Sequence, residues 1–243
     1  MLACVLGAVI YYIVLQIVLQ MGLNTNDLKM LTAIIVAVFL ATPYWKGKYF
    51  AKSKNSAGKQ QTNKEHLSEV AEIAERFGSV FGCGKEARLA GMLHDFGKYS
   101  QAFQNKLNGT EHRSIDHAAC GASYLYMIRK GDKYRAIAEA INGHHDGLVG
   151  FDRSMARGHA NAGKTAALSS KEEYTAASAA FRSDFPDFSP KLDATPPTDE
   201  LEKMLYTRML FSCLVDADYS ASAMDDDPDY LNNAEISDFS CEK

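Results

Sequence analysis

Five of the seven histidines follow one order along the chain: His66, then His94-Asp95, then His117, then His144-His145. A pair of late carboxylates, Asp216 and Asp218, follows in the last helical stretch. His66 and His117 fall on the apolar faces of helical stretches, where an unpaired imidazole is costly to bury. One buried histidine is ordinarily a hydrogen-bonded core residue. Five of them with a His-Asp dipeptide need a common partner, so the segments carrying them must converge on one point. Imidazole and carboxylate together suit borderline transition metals. A shared carboxylate can bridge two ions ~3.5–4 Å apart, and such a pair can activate water and clamp a phosphate. No protein nucleophile is then needed.

The segments that must converge read as helices. His66, Val70, Ile73 and Phe77 recur at helical spacing, and Gly78 and Gly82 stop that run. KEARLAGMLHDF is a second short helix ending at Gly97. Asp116 is an N-cap candidate for a third, with His117, Cys120, Tyr124 and Ile128 on one face. Residues 134–143 form a fourth that stops at GHHDG, and EEYTAASAAFRSDF a fifth. A long final helix is expected from about Asp199 to Ala223. No alternating strand pattern and no 20–50-residue repeat is present. The expected fold class is therefore all-α.

Charge divides the chain into three parts. Residues 1–47 carry only Asp27, Lys29 and Lys46, a net of +1. Residues 223–243 carry seven acids and one lysine, a net of −6. The whole chain is −4, so the middle is close to neutral, which excludes a uniformly basic nucleic-acid coat. The five cysteines are scattered with no C-x-x-C, which excludes a zinc ribbon or disulfide scaffold and fits a reducing cytosol. The boundaries expected are a hydrophobic helical hairpin at 1–47, a catalytic domain at 48–225 and an acidic tail at 226–243.

The run LACVLGAVIYYIVLQIVLQM is long enough to span a bilayer, and MLTAIIVAVFLATPYW is short for a span. Lysines 46, 48, 52, 54 and 59 follow and would keep the rest of the chain in the cytoplasm. This stretch resembles the last transmembrane hairpin of an ABC-type permease subunit. A membrane anchor through residues 1–45, a fused reading frame and a buried soluble hairpin remain open.

GMLHDFGKYSQAF, IDHAACGA, NGHHDGL and LVDADYSAS, in that order, resemble the HD superfamily of phosphohydrolases. They are most similar to the HD nuclease domain of the type I CRISPR interference nuclease-helicase, over residues 48–225. The resemblance implies that His66, His94, Asp95 and a late aspartate hold one divalent ion. Asp95 bridges, and His117, His144 and His145 hold the second. It also gives Lys98 a role beside the scissile phosphate, where a cation stabilises developing charge. Asp218 is the better late ligand: it continues the apolar face of Phe211, Leu214 and Val215, and it fits the family's Ala-Asp-aromatic pattern. Mn²⁺, Co²⁺, Ni²⁺ or Fe²⁺ suit so many imidazoles better than Mg²⁺.

The function expected is metal-dependent endonucleolytic hydrolysis of single-stranded DNA in CRISPR interference, an antiviral defence. In the resembled proteins a helicase usually follows the nuclease domain. Here only the acidic tail follows, so the expectation is either a stand-alone nuclease subunit that works with a separate helicase or a truncated frame; the resemblance also implies a CRISPR surveillance complex as partner. The rival readings are an HD phosphohydrolase of nucleotides or cyclic dinucleotides, and a non-catalytic membrane-tethered HD regulator. HHDGL lacks the Gly-Tyr-Pro of the cyclic-dinucleotide enzymes. Gly158 to Thr165 matches the P-loop pattern, but no core strand precedes it, and a loop over the site is the expectation. Tyr99 and Phe103 are candidates for stacking on a base, and His112 and His159 for surface positions.

Overall fold

The computed structural model describes residues 49–54, 58–129, 131, 134–148, 165–192 and 197–226, and before them only Tyr12, Gln16, Gln20 and Met30 as helical positions. The chain divides into two compact units, Met1–Lys48 and Tyr49–Lys243. Apart from those four positions, the expected hairpin with its permease resemblance lies outside the described residues, as does the acidic tail beyond Asp226. Among the described residues no helix is long and apolar enough to cross a membrane.

The second unit is helical, as the spacing predicts. Helix α1 spans Asn63–Ser79. Thr62 caps it by accepting from the Glu65 amide, while the Glu65 side chain accepts from the Thr62 amide. Helix α2, Gly84–Leu93, buries almost every side chain from Glu86 onward. The two helices meet backbone to backbone at Gly91, where an added Cβ would lie 2.7 Å from Ala71 Cα. A 3-10 turn, Phe96–Tyr99, follows the His94-Asp95 corner.

Helix α3, Gln101–Leu107, is absent from the sequence reading. Its signal is the cap: Ser100 Oγ accepts from the Phe103 amide at 3.1 Å. Seven residues are too few for an apolar period to show. Helix α4, Ala118–Ile128, starts two residues after Asp116. His117 therefore stands at the cap position, and Asp116 Oδ1 accepts from the Ala118 amide at 3.1 Å. Helix α5 is Arg135–Gly143 and helix α6 is Lys171–Asp184.

Two strands of two residues each also form, β1 (Ile115–Asp116) and β2 (Thr165–Ala166), paired in parallel. No period can be read from so short a pair. It nonetheless fixes the approach to His117.

Helix α7, Glu200–Asp226, runs three residues past its expected end, with Asp199 capping the Leu201 amide at 2.9 Å. It packs across α1, α2 and α5 through Leu210, Leu214, Ala217 and Ala221. The core centres on Phe96, fully buried and stacked on Tyr124 at 4.1 Å between centroids. Phe181 meets Phe96 edge-on at 5.7 Å. That core anchors the turn immediately after Asp95.

Candidate metal centre

Each helix delivers its histidine at an end or on an inward face. His66 lies one turn into α1, beside the buried Leu67 and Val70. His94 caps the C-terminus of α2, and His144 that of α5. A helix end frees its last carbonyls, and both histidines use them. His94 Nδ1 donates to the Gly91 carbonyl at 2.8 Å, and His144 Nδ1 to the Ile141 carbonyl at 2.6 Å. A carbonyl only accepts, so Nδ1 carries a hydrogen and Nε2 is the ring atom turned toward the cluster. This is the outer-shell support that metal-binding imidazoles use.

The Nε2 atoms gather around Asp95. Its Oδ2 lies 3.2 Å from His66 Nε2 and 3.1 Å from His94 Nε2. Its Oδ1 lies 3.1 Å from His117 Nε2 and 3.7 Å from His144 Nε2. His145 Nε2 is 3.0 Å from His117 Nε2. Asp218 Oδ1, from α7, is 3.2 Å from His66 Nε2 and 3.6 Å from His94 Nε2. Asp216, two residues earlier, is exposed. The candidate ligands His66, His94, Asp95, His117, His144, His145 and Asp218 are thus brought together.

Several of the converging atoms have no hydrogen-bond partner. His94 Nε2, His144 Nε2 and Asp95 Oδ1 are buried and have none. Atoms ~2.1 Å from a common ion and at right angles around it stand ~3.0 Å apart, which matches the spacings here. Among the described residues three donor groups could hold an ion: Asp95, His117, His144 and His145; His66, His94 and Asp95; and His94, His144 and Asp218. The residues present fit divalent metal.

The electrostatics agree. Burial works to raise the Asp95 carboxyl, but His94, Lys98 and His117 hold it well below the usual carboxylate range. Burial also opposes ionisation of Asp218, and the neighbouring His66 and His94 overcome it and hold the carboxyl low. Burial disfavours the charged form of His94, yet Asp95 and Asp218 push it up to about 10. His117 is lowered, chiefly by burial. His145 falls to about 4 through burial and the neighbouring His144 and His117. The two carboxylates thus favour the charged form of His94, while His117 and His145 are pushed toward the neutral form that donates to metal.

Other candidates fall elsewhere. Lys98 Nζ sits on Asp95 Oδ2 at 2.5 Å, with its side chain only 12% exposed. Tyr99 and Phe103 do not face solvent for stacking: both are buried, and the Tyr99 hydroxyl donates to Asp184 at 2.7 Å. They are core residues because the turn after Asp95 must be anchored. His112 is exposed. His159 and Gly158–Lys164 of the P-loop match lie outside the described residues. Thr165 belongs to β2, whereas the P-loop motif needs a helix there.

Two residues of the centre carry no sequence signal. Asn63, fully buried, donates through Nδ2 to the Asp95 carbonyl at 3.4 Å. Gly97 lets the 3-10 turn touch His117, since a Cβ there would meet His117 O at 2.5 Å.

A helical unit that converges four imidazole-bearing segments on one shared carboxylate defines a metal-centred hydrolytic domain. The HD domain family model matches residues 63–189, more than half of the chain, and the chain belongs to that family. HD domains are metal-dependent phosphohydrolases, and the His/Asp cluster supplies donors for the metal. No curated protein matches the chain.

Proposed function

We propose that the chain is a two-metal nuclease that hydrolyses single-stranded DNA internally and serves CRISPR interference. One observation carries the two-metal reading. The Asp95 oxygens divide the histidines, Oδ2 facing His66 and His94 and Oδ1 facing His117 and His144. A carboxylate so placed serves two centres. In this reading His66, His94, Asp95 and Asp218 hold one ion, and Asp95, His117, His144 and His145 the other. Imidazole-rich donors favour Mn²⁺, Co²⁺, Ni²⁺ or Fe²⁺ over Mg²⁺.

When bound, the ions supply Lewis acidity and an activated water. The chain's own residues do the positioning. The Gly91 and Ile141 carbonyls fix the His94 and His144 tautomers. The stacked Phe96 holds the Asp95 corner. Lys98, beside Asp95, is the cation assigned to meet a phosphate oxygen and stabilise the charge that grows on it. The nucleic-acid substrate and its partners rest on the ordered motifs HDFGK, IDHAACGA, NGHHDGL and LVDADY.

The test incubates the full chain with circular single-stranded DNA and Mn²⁺ or Co²⁺, beside Asp95→Ala and a chelator control. Opening of circles by the parent alone, abolished by chelator, is the expected result. Metal binding without cleavage, together with turnover of a nucleotide or cyclic dinucleotide, would replace the nuclease reading. Cleavage that survives complete metal removal would refute both.

A further inference from the structure

Lys98 is placed oddly for a residue whose task is to meet substrate. Its ammonium does not reach toward solvent. It lies 2.5 Å from Asp95 Oδ2, the same oxygen that faces His66 and His94. The ammonium also lies over the Phe103 ring, 5.6 Å from its centroid. The backbone beneath it is pinned: the Lys98 amide donates to the Asp95 carbonyl at 3.0 Å, and Gln104 Nε2 donates to the Lys98 carbonyl at 2.8 Å. Only the side chain is free to change position. It has four rotatable bonds and a short way to go.

Two cations beside that one oxygen repel each other. A divalent ion held by His66, His94 and Asp95 would stand within a few ångströms of the ammonium. In a buried site such repulsion is weakly screened. Without any cation, two buried carboxylates would be left poorly compensated. The ammonium meets that need in the metal-free protein and becomes surplus on loading.

We propose that Lys98 is a resident counter-ion of the metal-free centre, displaced by metal and thereby delivered to the mouth where substrate phosphate binds. This rests on the metal-centre reading above. The consequence is ordered assembly: the phosphate-binding cation is exposed only on a chain that already carries metal. Lys98 also competes with the metal, so the chain gives up affinity for that order.

Two measurements test this on the full chain. The first is competition titration of Co²⁺ against a chromophoric chelator. Lys98→Met is expected to bind the first ion roughly tenfold or more tightly than the parent, and Lys98→Arg, which keeps the charge, to stay near the parent. The second needs no variant and so does not depend on one folding. The metal-free and Co²⁺-loaded parent are briefly acetylated and Lys98 labelling is read by mass spectrometry. Labelling is expected to rise several-fold on loading. If the parent binds metal but Lys98→Met shows no tightening, or labelling does not rise, the counter-ion role is wrong and the centre stands. If the parent binds no metal, both fall.

Discussion

Replacing Gly97 with alanine adds one methyl at the closest approach between the Asp95 turn and His117. The new Cβ would lie 2.5 Å from His117 O, 2.7 Å from His117 Cα and 2.9 Å from His117 Cβ. Ordinary contact for such pairs begins near ~3.3 Å to oxygen and ~3.5 Å to carbon. The two backbones must therefore separate by about 0.8 Å. None of the obstructing atoms is the far end of a flexible side chain, so the strain cannot be relieved by a rotamer change. Overpacking of this kind costs ~2–3 kcal/mol. In a domain of this size that lowers Tm by roughly 5–10 °C. The functional effect is sharper. His117 Nε2 now stands 3.1 Å from Asp95 Oδ1, and a shift of ~0.8 Å far exceeds the ~0.2 Å tolerance of metal–ligand distances. In the proposed two-metal reading the ion that would use His117 is lost, and the one assigned to His66, His94, Asp95 and Asp218 is retained, so metal content by elemental analysis is expected to fall from two ions per chain to one. Gly109→Ala is the control: its φ is +75° and nothing lies within 4 Å, so it costs only local backbone strain of ~1 kcal/mol and no metal. A Gly97→Ala protein with parental Tm and two tightly held ions would refute the reasoning.

Other outcomes follow from the same geometry. His94 is pushed up to about 10 in the metal-free centre, so it holds its proton through neutral pH. The stability this contributes is full below the unfolded imidazole range and is lost as pH rises through about 10. Metal must expel that proton, so calorimetry at pH 7.5 in two buffers of different ionisation heat is expected to show about one proton released. Apparent affinity is expected to rise about tenfold per pH unit on approach to that range. Asp218→Asn is expected to weaken metal binding by more than about tenfold, whereas Asp216→Asn, on an exposed carboxylate, leaves it unchanged. Equal effects in a chelator competition would show the late ligand to be misplaced. Phe96→Ala empties the centre of the core and should cost ~3–5 kcal/mol in denaturant unfolding.

Much of the site was legible because it is carried by residue type and order. A His-Asp dipeptide and four further histidines have one economical explanation, and Asp218 could be preferred over Asp216 from the apolar face of one helix. Tyr99 and Phe103 misled for a physical reason. An aromatic beside a catalytic motif looks the same whether it stacks on a base or anchors the turn. Only burial and the Tyr99–Asp184 hydrogen bond tell the two apart.

The amino-acid order by itself determined the helical class and the donor set, because period and ligand chemistry are local properties. It also determined the positions of most helices, since caps such as Thr62 and stops such as Gly82 act within a turn. The tertiary structure alone decided how the donors divide: which histidines face Oδ1 of Asp95, which face Oδ2, and that Lys98 occupies the second. Those are distances between segments far apart in the chain. They are set by backbone contacts at Gly91 and Gly97, where the absence of a side chain lets helix and turn close to within reach of one carboxylate.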